Sequence, residues 1–190
     1  MVKIMLRVAI ITLLCALPLI GNANEKRLEQ ANFPDQLTVD GEQLVLRNAS
    51  VLNYLFVDVY SAALLAPAEE PLADIAESRR PLHLELFYYR EIDRSDVIKA
   101  AWVALERQYD QAQLDSLRPG IDKLHATFND IQPQDRYSLT LDRNQALSLK
   151  YNGKEIFQSD DAQLARAYVG IWLKDNGLSD KLRKRLLAER

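Results

Sequence analysis

Apolar and polar residues alternate on both sides of Asp40-Gly41, through Gln36-Leu37-Thr38-Val39 and Glu42-Gln43-Leu44-Val45-Leu46. An Asp-Gly pair tolerates the positive φ of a two-residue turn, so the pattern predicts a β-hairpin. Residues 54–65 read as one long strand. Leu55, Val57, Val59, Ala63 and Leu65 fall on one face, and Tyr54, Phe56, Asp58, Tyr60 and Leu64 on the other. The first face is plain core, and the second mixes aromatic residues with a single charge. Residues 82–90 alternate again, with Leu82, Leu84, Leu86 and Tyr88 against His83, Glu85, Phe87 and Tyr89. Three short runs, 137–141, 146–151 and 154–157, form a meander whose last turn is Asn152-Gly153.

Helical spacing takes over between these blocks. Asp93 or Ser95 offers a capping oxygen before the stripe Val97, Ala100, Ala101, Ala104, Leu105 and Gln108. Residues 113–117 and 121–129 read as a helical pair interrupted at Pro119-Gly120. A further helix starts at Ser159-Asp160-Asp161 and sets Leu164, Ala167, Tyr168, Ile171 and Trp172 on one side, and a last one begins at Ser179. Residues 67–80 connect, with a short helix around 72–78. Strands arrive as hairpins and a meander, and helices arrive as inserted blocks. That order predicts an α+β domain, a large antiparallel sheet with a helical layer on one face.

The N-terminus departs from this pattern. Lys3 and Arg7 precede an apolar run over 8–20, and Gly21-Asn22-Ala23 supplies small residues at its exit. Charge, apolar core and small exit come in the order of a secretory signal, so residues 1–23 are expected to be cleaved after Ala23 and the protein to be periplasmic. The run is shorter than the roughly 20 residues of a membrane-spanning helix, and no other long apolar stretch follows. Residues 24–190 then form one domain, with the polar segment 24–32 as its leader. The full chain has a formal net charge of −3, and losing Lys3 and Arg7 makes the domain more acidic, which gives no electrostatic case for nucleic acid. Cys15, the single cysteine, leaves with the signal, so no disulfide, thiolate nucleophile or cysteine metal site is expected.

Little assembled chemistry appears. His83 and His125 are the only histidines. They lie in different elements, one as a partly exposed sheet residue and the other on the polar face of a helix, with no second ligand to complete a metal shell. Asp160-Asp161 and Asp93-Arg94-Ser95-Asp96 suit helix starts, where carboxylates meet the dipole. No Gly-x-Ser-x-Gly elbow and no Gly-rich phosphate loop occurs. No catalytic residue, metal or cofactor is therefore expected. Lys181, Arg183, Lys184 and Arg185 make the last helix basic, suited to its own C-terminal dipole or to contact with an anionic membrane surface. Asp58 is the polar residue that invites a role. It either lies buried and needs a partner, or faces water near a sheet edge. Tyr54, Tyr60, Tyr88 and Tyr89 could supply a pocket with apolar bodies and polar tips.

Several fragments, in this order, resemble the bacterial exported branch of the chalcone isomerase-like family. They are Phe33-Pro34-Asp35, the run from Leu55 through Asp58 and Tyr60 to Leu64, Asp135-Arg136-Tyr137-Ser138-Leu139, Tyr151-Asn152-Gly153-Lys154, and Ile171-Trp172-Leu173 with the Leu186-Leu187 helix. The resemblance implies an open-faced β-sandwich with a ligand cleft between sheet and helices. Plant isomerases of the family place Tyr, Lys and Asn where this chain has Asp93, Asp96 and Ala100, which implies that the isomerase set is missing. Relatives that bind fatty acids grip the carboxylate with an Arg and a strand Tyr; the corresponding positions here are Leu52 and Tyr60. Asp58 stands where bacterial relatives tend to have Lys. With Tyr54 from the aromatic strand face, the expected ligand site is Leu52, Tyr54, Asp58 and Tyr60, suited to a neutral or cationic ligand. The expected function is non-catalytic binding of a small apolar or amphipathic molecule, lipid-like or aromatic. The alternatives are an isomerase or lyase acting on a phenolic compound by acid–base chemistry, and an envelope interaction protein.

Overall fold

The computed structural model describes residues 19–189, the side chains of 19–23 aside, so the expected secretory signal lies almost wholly outside the described residues. The chain runs α1 (Leu19–Ala31), β1 (Gln36–Val39), β2 (Glu42–Tyr54), β3 (Val57–Ala66), α2 (Leu72–Ala76), β4 (Leu82–Tyr88), α3 (Arg94–Gln108), α4 (Gln111–His125), β5 (Arg136–Leu141), β6 (Leu147–Tyr151), β7 (Lys154–Ser159), α5 (Ala162–Leu173) and α6 (Asp180–Leu186). The strands form one antiparallel seven-stranded sheet, in the order in which they occur in the chain.

Turn chemistry sets two of the hairpins as the sequence predicts. Asp40-Gly41 and Asn152-Gly153 both take positive φ at their two central positions. The third two-residue hairpin was not foreseen. The expected long strand over 54–65 is broken at Leu55-Phe56, which also have positive φ (45° and 67°), and Tyr54 pairs with Val57 across them. β2 therefore extends much further than the first hairpin pattern suggested, and residues 54–65 belong to two strands.

The sheet's two faces carry different cores. Ala62, Leu64, Leu84, Leu86, Leu139 and Leu149 face the helical layer, where they meet Ala101, Ala104 and Leu105 of α3, Ile121 and Leu124 of α4, Leu164, Tyr168 and Ile171 of α5, and Leu182 and Leu186 of α6. On the opposite face, Ala31 packs with Val51, Phe87 and Tyr89, and Leu44 with Ala63 and Leu65. The expected polar leader over 24–32 is helical as far as Ala31, within α1, because Leu28 and Ala31, three residues apart, bring one helical stripe onto this second core. Asn32 ends the helix in the left-handed region, its N–H bonded to the Leu28 carbonyl, and Pro34 prevents continuation.

The expected break at Pro119-Gly120 is also absent. α4 is continuous, begun by a reciprocal capping box between Asp110 and Gln113. Pro119 is exposed, so the carbonyl it leaves unpaired within the helix faces water and the break costs little.

Candidate ligand cavity between sheet and helices

A cavity of about 500 Å³ separates part of the sheet from the helical layer. Its floor is the sheet: Leu52 from β2, Val59 and Tyr60 from β3, Leu86 and Tyr88 from β4, Tyr137 and Leu139 from β5, and Leu149 from β6. Its roof is Val97, Ala100 and Ala101 of α3, Tyr168, Ile171 and Trp172 of α5, and Leu178 with Ser179 before α6. Phe128 and Ile131, between α4 and β5, close one side. Asn53, Tyr54 and Asp96 are exposed and mark the opening. Ala100 and Ala101 on the roof keep α3 slim where longer side chains would fill the space.

The wall is apolar except for phenols, one indole, Ser179, and Asn53 and Asp96 at the opening; no Lys, Arg or His lines it. Trp172 donates its indole N–H to the Tyr60 hydroxyl oxygen at 3.0 Å. Tyr60 and Tyr88 pack with ring centroids 5.2 Å apart, and Tyr88 meets Tyr137 edge-on at 6.3 Å. The Tyr88 hydroxyl has no hydrogen-bond partner among the described residues. Burial pushes the Tyr60, Tyr88 and Tyr168 phenols well above their ordinary pKa, since a phenolate there would lose its water. At neutral pH these groups are therefore protonated and act as hydrogen-bond donors, not as bases.

Of the four expected site residues, the structure brings Leu52, Tyr54 and Tyr60 to this cavity. Leu52 and Tyr60 are directly paired across β2 and β3. Asp58 is not on its wall. The pairing slips between Leu52–Tyr60 and Asn53–Asp58, so Val59 is an extra residue in β3. That bulge turns Val59 and Tyr60 both toward the cavity and sends Asp58 to the opposite face. There Asp58 accepts from Arg27 Nε of α1 at 2.8 Å and from Asn53 Nδ2. The reading in which Asp58 needs a partner thus holds in part; the partner comes from α1, a segment whose sequence pattern reads only as a polar leader. Tyr89 belongs to the same face: its hydroxyl lies 2.6 Å from Ser61 Oγ, donates to the Arg27 carbonyl, and its ring lies under the Arg27 guanidinium.

Trp172, Tyr137 and Tyr168 were legible only as core, through the helical stripe of α5 and the alternation of β5. Both histidines differ from expectation. His125 is buried, not on a polar face: it lies among Trp102, Phe128 and Tyr168, with Nε2 3.2 Å from the Tyr168 hydroxyl. Burial lowers its pKa to about 4. His83 is buried on the sheet's other face, between Thr140 (2.8 Å) and Glu85 (3.3 Å). Burial alone would raise the Glu85 pKa, but hydrogen bonds from His83 and Arg136 bring it below the usual carboxylate range.

Two of the sequence fragments singled out earlier meet at Asp135. Its carboxylate accepts from the Gln132 N–H, the Tyr151 hydroxyl and Asn152 Nδ2 at 2.7–2.9 Å. These bonds outweigh burial and hold its pKa down. The cluster ties the β6–β7 turn to the start of β5, a structural role beside the cavity. No group of three or more His, Cys, Asp or Glu side chains suited to a metal ion occurs among the described residues, and no helix among them is long and apolar enough to cross a membrane.

A sequence profile of the family described as chalcone isomerase-like matches residues 25–188. No curated protein sequence matches the chain. Among solved structures, the chain is similar to a fatty-acid binding protein of Arabidopsis thaliana, with a TM-score of 0.62 and 16% identity over 82% of this chain and 90% of that one.

Proposed function

The chain belongs to the chalcone isomerase-like family, and we propose that within it this protein is a non-catalytic binding protein for a small apolar or amphipathic molecule with an uncharged head. The observation that carries this reading is the cavity itself. Its volume of about 500 Å³ lies within the range typical of small-molecule sites, roughly 300–1,000 Å³. Its wall is aliphatic and aromatic, and its buried polar groups are neutral donors and acceptors. The ligand's apolar body fills the space beneath α3 and α5, and its polar end meets the Tyr60 hydroxyl, whose own proton is free to be donated while its oxygen accepts from Trp172.

The similar Arabidopsis structure is of a fatty-acid binding protein, which supports a lipid-like ligand. Here the wall offers no cation to an ionised carboxylate, and burying an unpaired charge is costly. The preferred ligand class is therefore the fatty alcohol, monoacylglycerol or isoprenoid type, not the free fatty acid. The charge–apolar–small order of residues 1–23 supports work in the periplasm.

Native mass spectrometry on protein isolated from the exporting cell tests the reading, with thermal-shift titrations of hexadecanol and palmitate. Co-purified neutral lipid and a hexadecanol shift exceeding that of palmitate support it. A ligand-free protein unmoved by either compound rejects it.

A further inference from the structure

The two glycine-containing hairpins of the sheet show what its two-residue turns ordinarily require: Asp40-Gly41 and Asn152-Gly153 pair a turn-forming polar residue with glycine at positive φ. The β2–β3 hairpin puts Leu55 and Phe56 into that same left-handed region, where bulky side chains are disfavoured. It also turns them into solvent. Tyr54, Leu55, Phe56 and Val57 are all exposed, Phe56 fully so. Among the described residues, they are four of the five exposed large hydrophobics. The chain gives up both turn preference and solubility at one place, and that place adjoins the cavity opening through Asn53 and Tyr54.

The geometry points to this tip as a membrane-docking element: Tyr54, Leu55, Phe56 and Val57 insert into the interfacial layer of a lipid bilayer and set the cavity opening against it.

The shape of the patch selects the partner. A folded partner or a second copy needs about 800 Å² from each side for a stable interface. Tyr54 and Phe56 together offer about 300–500 Å² at about 150–250 Å² each, and Leu55 with the 41%-exposed Val57 does not bring a narrow convex turn to that area. A fluid bilayer accepts a narrow apolar wedge, and a tyrosine beside aliphatic and phenyl groups suits its interface. The tip itself carries no charge, and the exposed Asp96 of the same opening stands on α3, not on the tip. No charged residue occurs from Asn48 to Val57, and Asp58, the first one beyond, is ion-paired to Arg27. The attraction is apolar, unlike that of the basic α6, whose Lys181, Lys184 and Arg185 are exposed. The inference does not rest on the ligand proposed above, because docking is read without any ligand.

The test is sedimentation of the protein as isolated from the exporting cell with phosphatidylcholine vesicles and with vesicles containing added phosphatidylglycerol. The double variant Leu55→Asn with Phe56→Gly gives the turn its preferred residues, so it is expected to fold with an unchanged or higher melting temperature. It should lose vesicle binding by about tenfold or more, with little dependence on salt or on phosphatidylglycerol in the parent protein. F56W reads the tip directly: its added emission, over that of Trp102 and Trp172, should shift to the blue on vesicles and be quenched by brominated lipid. Equal sedimentation of parent and double variant, together with an unquenched F56W signal, overturns the proposal. So does binding confined to phosphatidylglycerol vesicles and abolished by salt, which would put the contact on α6.

Discussion

The indole N–H of Trp172 reaches the hydroxyl oxygen of Tyr60 at 3.0 Å, linking α5 to β3 above the cavity. Both residues line the space, so the bond fixes its height and orients the phenol. Tyr60→Phe removes the acceptor and leaves a half-buried indole donor without it. A loss of about 1 kcal/mol in chemical denaturation is expected, with hexadecanol affinity falling by about tenfold. If the affinity is unchanged while stability falls, the hydroxyl holds the roof but does not touch the ligand.

Leu52 stands directly across from Tyr60 in the β2–β3 pairing, at the cavity wall. Leu52→Arg places a cation beside the phenol and near the exposed opening, where its charged end can stay partly hydrated. Palmitate binding should strengthen by about tenfold or more, equivalent to about 1.4 kcal/mol, and hexadecanol binding should weaken. Titration calorimetry with both compounds on parent and variant checks the exchange of preference.

Asp58 offers the contrasting case. Its ion pair with Arg27 is partly exposed, at 24% and 32% of the two side chains, so solvent screening keeps it modest. Asp58→Ala should cost only about 0.5–1 kcal/mol in stability and leave ligand affinity as it was. A large loss of binding with unaltered stability would return Asp58 to the ligand site.

His125 makes stability depend on pH. Its pKa is about 4 in the folded protein, against an ordinary 6.5, because burial disfavours the charged ring. Below pH 6.5 the unfolded chain takes up a proton that the folded one refuses, so the stabilisation is fully present above 6.5 and is lost as pH falls toward 4. The fall amounts to at most about 3 kcal/mol. Urea unfolding across that window should show it, and His125→Gln should flatten the slope. Glu85 and Asp135, whose pKa values are lowered, act at more acidic pH and leave this window largely to the histidine.

Asp135 gathers three donors, from the loop before β5, the end of β6 and the β6–β7 turn. Asp135→Ala strands the Tyr151 hydroxyl and frees the Asn152 turn, and a loss of about 3 kcal/mol is expected. Asp135→Asn, which keeps an acceptor oxygen, should lose less. Equal losses would assign the effect to the charge.

The antiparallel α+β architecture was legible because period-two alternation and Asp-Gly or Asn-Gly turns are local signals. The same signals failed wherever a local rule was broken. Leu55-Phe56 carries no turn residue, so two strands read as one. Val59 adds one residue to β3, and a bulge is silent in an alternation pattern that runs on in the new phase beyond it; Asp58 was therefore assigned to the face of Tyr60. Residues 24–32 have too few apolar positions to announce a helix, yet Leu28 and Ala31 suffice once Val51, Phe87 and Tyr89 are assembled opposite them. The cavity was legible in part, since aromatic alternation brought Tyr54 and Tyr60 forward. The hollow itself depends on the spacing between layers, which no single segment encodes.

The sheet's sequential order shapes how the protein comes together. Each strand pairs with the one made just before it, so most of the closures are short and entropically cheap. The exception is the junction of β4 with β5, separated by the whole of α3 and α4 and pinned by paired bonds between Ile92 and Ile131. As these two strands supply Leu86, Tyr88, Tyr137 and Leu139, the pairing with the longest loop to close, and so the largest entropy of closure, is the one that completes the cavity floor.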